Sequence, residues 1–232
     1  MLRYFSFKGR LARAWLARRG AAIVHMVGPQ ARGDLALIRE THTLVPLLVQ
    51  DAAAFQILAC VRAARRLGGA MAEAGVFAGG TARLIAEAKG DTPLHLFDVF
   101  DTLQTASGTT DQTERANELR RHFGALHTAR ADVERLLAPY SRIHVHAGTF
   151  PDSARGLEAE RFSFVHIDLD LEPSTRDALE FFHPRLLPGG VILGDDYQGP
   201  EVRRAFDTYF LGRPDTLIAT QWGQVMVVKS AP

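Results

Sequence analysis

The chain has 232 residues, 47% of them hydrophobic and 23% charged; that suits one large domain able to bury a core without disulfides or structural metal. The single cysteine, Cys60, excludes an internal disulfide framework and points to a reducing, cytoplasmic setting. No apolar run is long enough to span a bilayer and no secretory leader is recognisable, while the formal net charge of +1 hides an asymmetry. Seven Lys/Arg precede the first acid, Asp34, which leaves 20 basic against 26 acidic residues, net −6, in the remainder.

The basic head, "YFSFKGRLARAWLARRG", places Phe7, Leu11 and Trp15 on one stripe of a helix flanked by arginines. It reads as a helix packed on its own domain or on a dimer mate, in preference to a membrane-surface helix. A homo-oligomer is expected, and no nucleic-acid partner. A second helix, "DAAAFQILACVRAARRLG", opens at Asp51 and stops at Gly68. Beyond it, apolar runs at "AMAEAGV", "PLHLFDVF", "RIHVHAG", "FSFVHIDLD" and "GGVILGDD" alternate with helical segments. Those segments are "GTARLIAEAKG", "ANELRRHF" with "ADVERLLAPY", and "STRDALEFFHPRL". Such alternation predicts βαβ units and a parallel sheet with helices on both faces. After a last helix, "VRRAFDTYFLG", the strands "TLIATQ" and "QVMVVKS" are too close for a crossover and predict an antiparallel hairpin at Trp222-Gly223. One domain is expected: residues 1–68 as a helical segment on the acceptor side, residues 69–232 as the cofactor-binding core.

The turn after the first strand, "AEAGVFAGGTARL", holds Glu73, Gly75, Gly79, Gly80 and Thr81. Its glycines permit a tight turn and close backbone approach to a ligand at a helix N-terminus. The spacing is G-x-x-x-G-G, not the dinucleotide G-x-G-x-x-G, and an acid precedes the first glycine by two residues. An acid there disfavours a pyrophosphate and suits an amine-bearing or cationic ligand. Asp98 ends the second strand, where an acid can grip ribose hydroxyls. S-adenosylmethionine, a nucleoside with a sulfonium and an amino-acid end, fits both acids. Weighed against this is a plain glycine turn in which Glu73 only caps a neighbouring helix.

From about Thr43 to Lys229 the chain resembles the macrocin O-methyltransferase family. The resemblance rests on "EAGVFAGGT", "DVFDTL", "GTFPDS", "DLDLEPST", "LPGGVILGDDY" and "WGQVMVVK". It implies a Rossmann-like methyltransferase fold with a mostly parallel seven-stranded sheet, the last strand reversed, and metal-dependent methylation of sugar hydroxyls. Glu172 stands where the family commonly has tyrosine and Pro173 replaces an acid, both on the acceptor side. Carried over position by position, Glu73, Gly75, Gly79 and Thr81 would hold the amino-acid end of the cofactor. Asp98 would take the ribose, and Thr149 and Phe150 the adenine side.

Asp168 and the Asp195–Asp196 pair end two strands expected to be neighbours, on the rim shared by all C-terminal strand ends. Two carboxylates about 4 Å apart repel by about 4 kcal/mol at an effective dielectric near 20. Mg²⁺ suits three such oxygen ligands, with Asp170 in reserve, and Asp168 is the expected proton acceptor. The plainer alternative is solvated strand ends and helix caps. His144, His146 and His166 read as hydrogen-bonded strand residues, and "GTTDQTERANE" as a polar loop or lid in which Asp111 and Glu114 are solvated. The expected activity is Mg²⁺-dependent O-methylation of a sugar-bearing small molecule. A catechol-type acceptor is the rival enzyme reading, and a cofactor-binding interaction protein docking through its basic head is the non-enzyme one.

Overall fold

A computed structural model describes residues 28–100 and 128–231, together with 15, 16 and 18. The stripe at Phe7 and Leu11, the helix "ANELRRHF" and the loop with Asp111 and Glu114 lie outside the described residues, whereas Trp15 is described and exposed. Two compact units divide the chain, residues 1–36 and 37–232. In the first, the described part of helix α1 (Gly28–Leu44) carries a Gln30 Nε2 to Asp34 hydrogen bond of 2.9 Å. No helix among the described residues is long and apolar enough to cross a membrane.

In the second unit, the elements after α1 run α2 (Asp51–Ala64), β1 (Ala70–Ala74), α3 (Gly80–Ala88), β2 (Leu94–Asp98), α4 (Arg130–Leu137) and β3 (Ile143–Ala147). They continue with β4 (Phe162–Ile167), α5 (Glu172–Phe182), β5 (Leu186–Gly194), α6 (Pro200–Phe210), β6 (Thr216–Ala219) and β7 (Val225–Val228). One seven-stranded sheet has the order β3-β2-β1-β4-β5-β7-β6. The first five strands pair in parallel, and β7 runs antiparallel to both β5 and β6. The β6–β7 link is too short to cross the sheet, so reversal of β7 is the only pairing open to it.

β1 and β4 are buried along their whole length, as strands covered on both faces must be. Side chains alternate between two cores. Met71, Leu94, Leu96, Phe164 and Leu193 pack with Ile38 of α1, with α2 and with α3. Ala72, Phe97, Val165, Ile167 and Ile192 pack with Leu179 and Phe182 of α5 and Phe206 of α6. Helix α1 lies in the segment expected to be helical, but its bounds are not marked by the sequence pattern, and it turns only Ile38 and Thr41 fully inward between Leu37 and Leu44. So sparse a stripe carries little periodic signal. Helix α5 starts at Glu172, with Pro173 in its first turn where a missing N–H is harmless. β5 begins at Leu186, before the expected Gly189, because Leu186 already pairs with Phe162.

The second core is anchored by Phe182, fully buried, with ring centroids 5.2 Å from Phe150, 5.2 Å from Phe162 and 5.8 Å from Phe97. Phe182→Ala leaves a cavity at that junction. It should lower unfolding free energy by about 3–5 kcal/mol, read as a shift in urea midpoint at unchanged slope.

Candidate active site

The parallel ladder runs one residue past the ends of its strands. Gly75 N–H donates to Phe97 O (2.9 Å), Asp168 N–H to Ala74 O (2.8 Å), Asp195 N–H to Ile167 O (2.9 Å) and Gly148 N–H to Asp98 O (2.9 Å). Registers Ala74↔Phe97, Ala74↔Ile167 and Ile167↔Gly194 therefore set Asp98, Gly75, Asp168 and Asp195 side by side on one rim. Strand alternation puts Glu73, His166, Asp168 and Asp195 on the face covered by α2 and α3, since Ala74, Ile167 and Ile192 belong to the other core.

Glycine is required at Gly75, where φ is +90° and a Cβ would lie 1.7 Å from the Asp168 carbonyl oxygen. Gly79, at φ +83°, caps the N-terminus of α3 in the left-handed conformation. A Cβ on Gly80 would come within 2.6 Å of Pro46 O, so the chain before α2 crosses directly over the start of α3. Arg83 ties that crossing down: its buried guanidinium meets Glu40 Oε1 at 3.0 Å and donates to Thr41 Oγ1 at 2.5 Å. Thr81, in the first turn of α3, is buried.

Asp98 shapes the same turn. Its Oδ2 accepts from the Val76 and Phe77 N–H groups, both at 2.7 Å, and its Oδ1 from Phe100 N–H at 2.9 Å. A carboxylate has about four lone-pair sites, so one remains for an outside hydroxyl. Thr149 is exposed after β3, and Phe150 packs edge-on to Phe97 and Phe181 at 5.5 Å each.

Glu73 and His166 are wholly buried and share a 2.9 Å hydrogen bond between Oε1 and Nδ1. Burial opposes charge on His166, but the bond to Glu73, the charge of Glu73 and that of Asp195 together raise its pKa above the usual imidazole value. Glu73 Oε2 and His166 Nε2 have no protein partner. Asp168 is held well above the usual carboxylate range, first by burial and then by the charges of Asp195, Asp170, Asp196 and Glu73. Burial also raises Asp195, reinforced by Asp196 and Glu73 and opposed by His166. Asp196, at φ +54°, is turned so that Oδ1 accepts from Gln198 Nε2 at 2.8 Å. Among the described residues, no group of three or more His, Cys, Asp and Glu side chains is arranged to hold a metal ion. The rim gathers the charge of the three aspartates without closing a ligand set.

Sequence reasoning missed His166 as the partner of Glu73, although their two-residue offset from Asp168 and Gly75 signalled a shared face. It also missed Gln224. By continuation of the Gly194↔Val225 register Gln224 stands opposite Asp195, fully buried with both side-chain amide atoms unpartnered. His144 and His146 are strand residues: His95 stacks on His144 and shares a 3.0 Å hydrogen bond with His146. Burial, then the charges of His146 and His144, lowers His95 to about 4.

The sheet order, reversed β7 and glycine turn on a carboxylate-lined rim define a Rossmann-like methyltransferase fold, shared with solved O-methyltransferases. NovP superposes with a TM-score of 0.65 at 23% identity, over 77% of this chain and 80% of that one. An O-methyltransferase from Bacillus cereus in complex with SAH gives 0.54 at 17% identity, over 94% and 97%. The chain belongs to the macrocin-O-methyltransferase (TylF) family, whose model matches residues 53–218. It is 32% identical over 150 residues to the 8-demethyl-8-(2,3-dimethoxy-alpha-L-rhamnosyl)-tetracenomycin-C 4'-O-methyltransferase of Streptomyces olivaceus, across 61% of this chain. It is 30% identical over 163 residues to the mycinamicin III 3''-O-methyltransferase of Micromonospora griseorubida, across 65% of this chain. The chain spans 58% and 64% of the lengths of those two relatives.

Two outcomes test this geometry. Gly75→Ala forces the β1 and β4 ends apart and should abolish S-adenosylhomocysteine binding measured by calorimetry. Asp168→Asn should raise the melting temperature of the chelator-treated protein at neutral pH. An unfolded aspartate titrates at about 3.9 and the native one higher, so native stability falls as pH climbs between the two values. The gain from asparagine should be full above the native value and absent below the unfolded one, as melts across pH would show.

Proposed function

We propose that this chain transfers the methyl group of S-adenosylmethionine to a hydroxyl of a sugar-bearing small molecule, with Mg²⁺ at the rim. The observation that carries the reading is the level row Asp98, Gly75, Asp168 and Asp195, which brings a nucleoside-suited turn beside clustered carboxylates. Family membership and the named activities of the two relatives support it.

The residues fit both groups. Glu73 Oε2, buried and without a partner just below Gly75, is an acceptor suited to the amino end of the cofactor. The backbone approach at Gly75 and the capped start of α3 leave amides facing the same place. Asp98 keeps the turn closed through Val76 and Phe77 and retains capacity for a ribose hydroxyl. For a divalent cation the donor chemistry also fits: hard carboxylate oxygens, their pKa raised at Asp168 and Asp195 by burial and then by neighbouring carboxylate charge. Asp168, Asp195 and Asp196 would hold it, Asp196 giving up its bond to Gln198. Bound there, Mg²⁺ supplies Lewis acidity toward an acceptor hydroxyl.

Asp168, on the rim beside the turn, would receive the hydroxyl proton through a carboxylate oxygen not engaged by the cation. Glu73 and His166 hold the floor of the site rigid beneath it. Much of the rate would come from alignment of the two reactants by this fixed row.

The test is transfer of labelled methyl from S-adenosylmethionine to a panel of glycosides and catechols, with and without chelator. Glycoside turnover that chelator removes and Mg²⁺ restores is expected. Turnover of catechols alone would reassign the acceptor, and cofactor binding without any turnover would overturn the enzymatic reading. Asp168→Asn should lower kcat by about 10²-fold or more while S-adenosylhomocysteine affinity stays within severalfold.

A further inference from the structure

The sheet has a second rim, at the N-terminal ends of its parallel strands, and there a cleft of about 690 Å³ opens. Its walls are the segments that lead into the strands: Gly68 and Gly69 before β1, Lys89 to Pro93 before β2, Arg142 before β3 and Glu160 near the start of β4. Since β1 to β4 are parallel, this cleft lies at the opposite strand ends from Asp98, Gly75 and Asp168.

Four cations line it, Arg65, Arg66, Lys89 and Arg142, against two acids, Asp91 and Glu160. Asp91 Oδ1 accepts from Ser141 Oγ at 3.0 Å, and no ion pair joins either acid to any of the four cations. Lys89 is 1% exposed, an unusual position for an ammonium. Its Nζ donates to Ser141 O at 2.8 Å and Gly90 O at 3.1 Å, two of three possible bonds. Arg65 makes one long contact, Nη1 to Ala88 O at 3.4 Å, and Arg142 one to Asp91 O at 3.2 Å. Arg66 has no hydrogen bond or ion pair to a described residue. The guanidiniums thus keep most of their donors free around a common space.

The backbone leaves room as well. A Cβ on Gly68 would meet nothing within 4 Å, and one on Gly90 only Arg65 Nη1 at 3.9 Å. Burial lowers the pKa of Lys89, with the charge of Asp91 opposing and that of Arg142 adding a smaller push in the same direction as burial. A bound anion would offset the positive charge here and satisfy the free donors together, and forked guanidiniums match phosphate oxygens.

We propose that this cleft is a binding site for a small polyanionic phosphate compound, a diphosphate or its ester, separate from the methyl-transfer rim. The proposal stands whether or not the chain is a methyltransferase. The experiment is calorimetric titration of inorganic pyrophosphate into the full chain at low ionic strength. Saturable binding with one site per chain is expected. The double variant Arg66→Ala, Arg142→Ala should weaken it by about tenfold or more, with melting temperature unchanged because both side chains are exposed. Charge reversal at Arg66→Glu should weaken it further. Three results would overturn the proposal: no saturable binding at millimolar pyrophosphate, equal affinity in the double variant, or displacement of pyrophosphate by S-adenosylhomocysteine, which would place it on the other rim.

Discussion

Everything on the carboxylate-lined rim depends on four backbone hydrogen bonds beyond the strand ends. They fix Asp98, Gly75, Asp168 and Asp195 at one level, and the level is set by amides rather than by side chains. A slip of one residue in β4 would turn Asp168 to the other face and bring Ile167 to the rim. The contact between Gly75 and the Asp168 carbonyl guards against that slip, because β1 and β4 approach closely only where no Cβ intervenes. The same glycine therefore serves the turn and the register.

The rim is electrostatically unfavourable as it stands, and its surroundings offset part of that. Asp168 and Asp195 are partly desolvated beside further carboxylates, and His166, one layer below and hydrogen-bonded to Glu73, opposes the rise at Asp195. A buried pair of this kind contributes little to stability in itself, but leaving either partner alone would be severely unfavourable. It therefore acts as a fixed hydrogen-bonded arrangement beneath the aspartates. Atoms of Glu73 and His166 on adjacent strands, and of Gln224 opposite Asp195, have no protein partner. Buried polar atoms are seldom left so, and here they accompany the place where ligands are proposed to bind.

The two rims contrast in sign. The C-terminal rim gathers carboxylates, and the N-terminal rim gathers Arg65, Arg66, Lys89 and Arg142. A near-neutral net charge conceals this polarity, because the sheet separates charges that composition adds together. Helix α2, with Arg62 in its last turn, and helix α3, followed by Lys89, end toward one rim, while α3 begins with its glycine turn at the other. This is the geometry that alternating strands and helices impose.

The sequence by itself determined the alternation of elements, the reversed end of the sheet, the glycine turn and the residues that end each strand. Each rests on a local pattern: period, turn chemistry, or a carboxylate closing an apolar run. The bounds of helix α1 within the segment read as helical were not legible, because it buries only Ile38 and Thr41 between Leu37 and Leu44, and Arg83 on another element holds that stretch at Glu40 and Thr41. Nor was the bond between Glu73 and His166, which are 93 residues apart. The turning of Asp196 toward Gln198 and the basic cleft likewise stayed hidden. Tertiary structure decided these, because lateral neighbours in a parallel sheet are set by strand order, and strand order is chosen by how distant helices bury their faces.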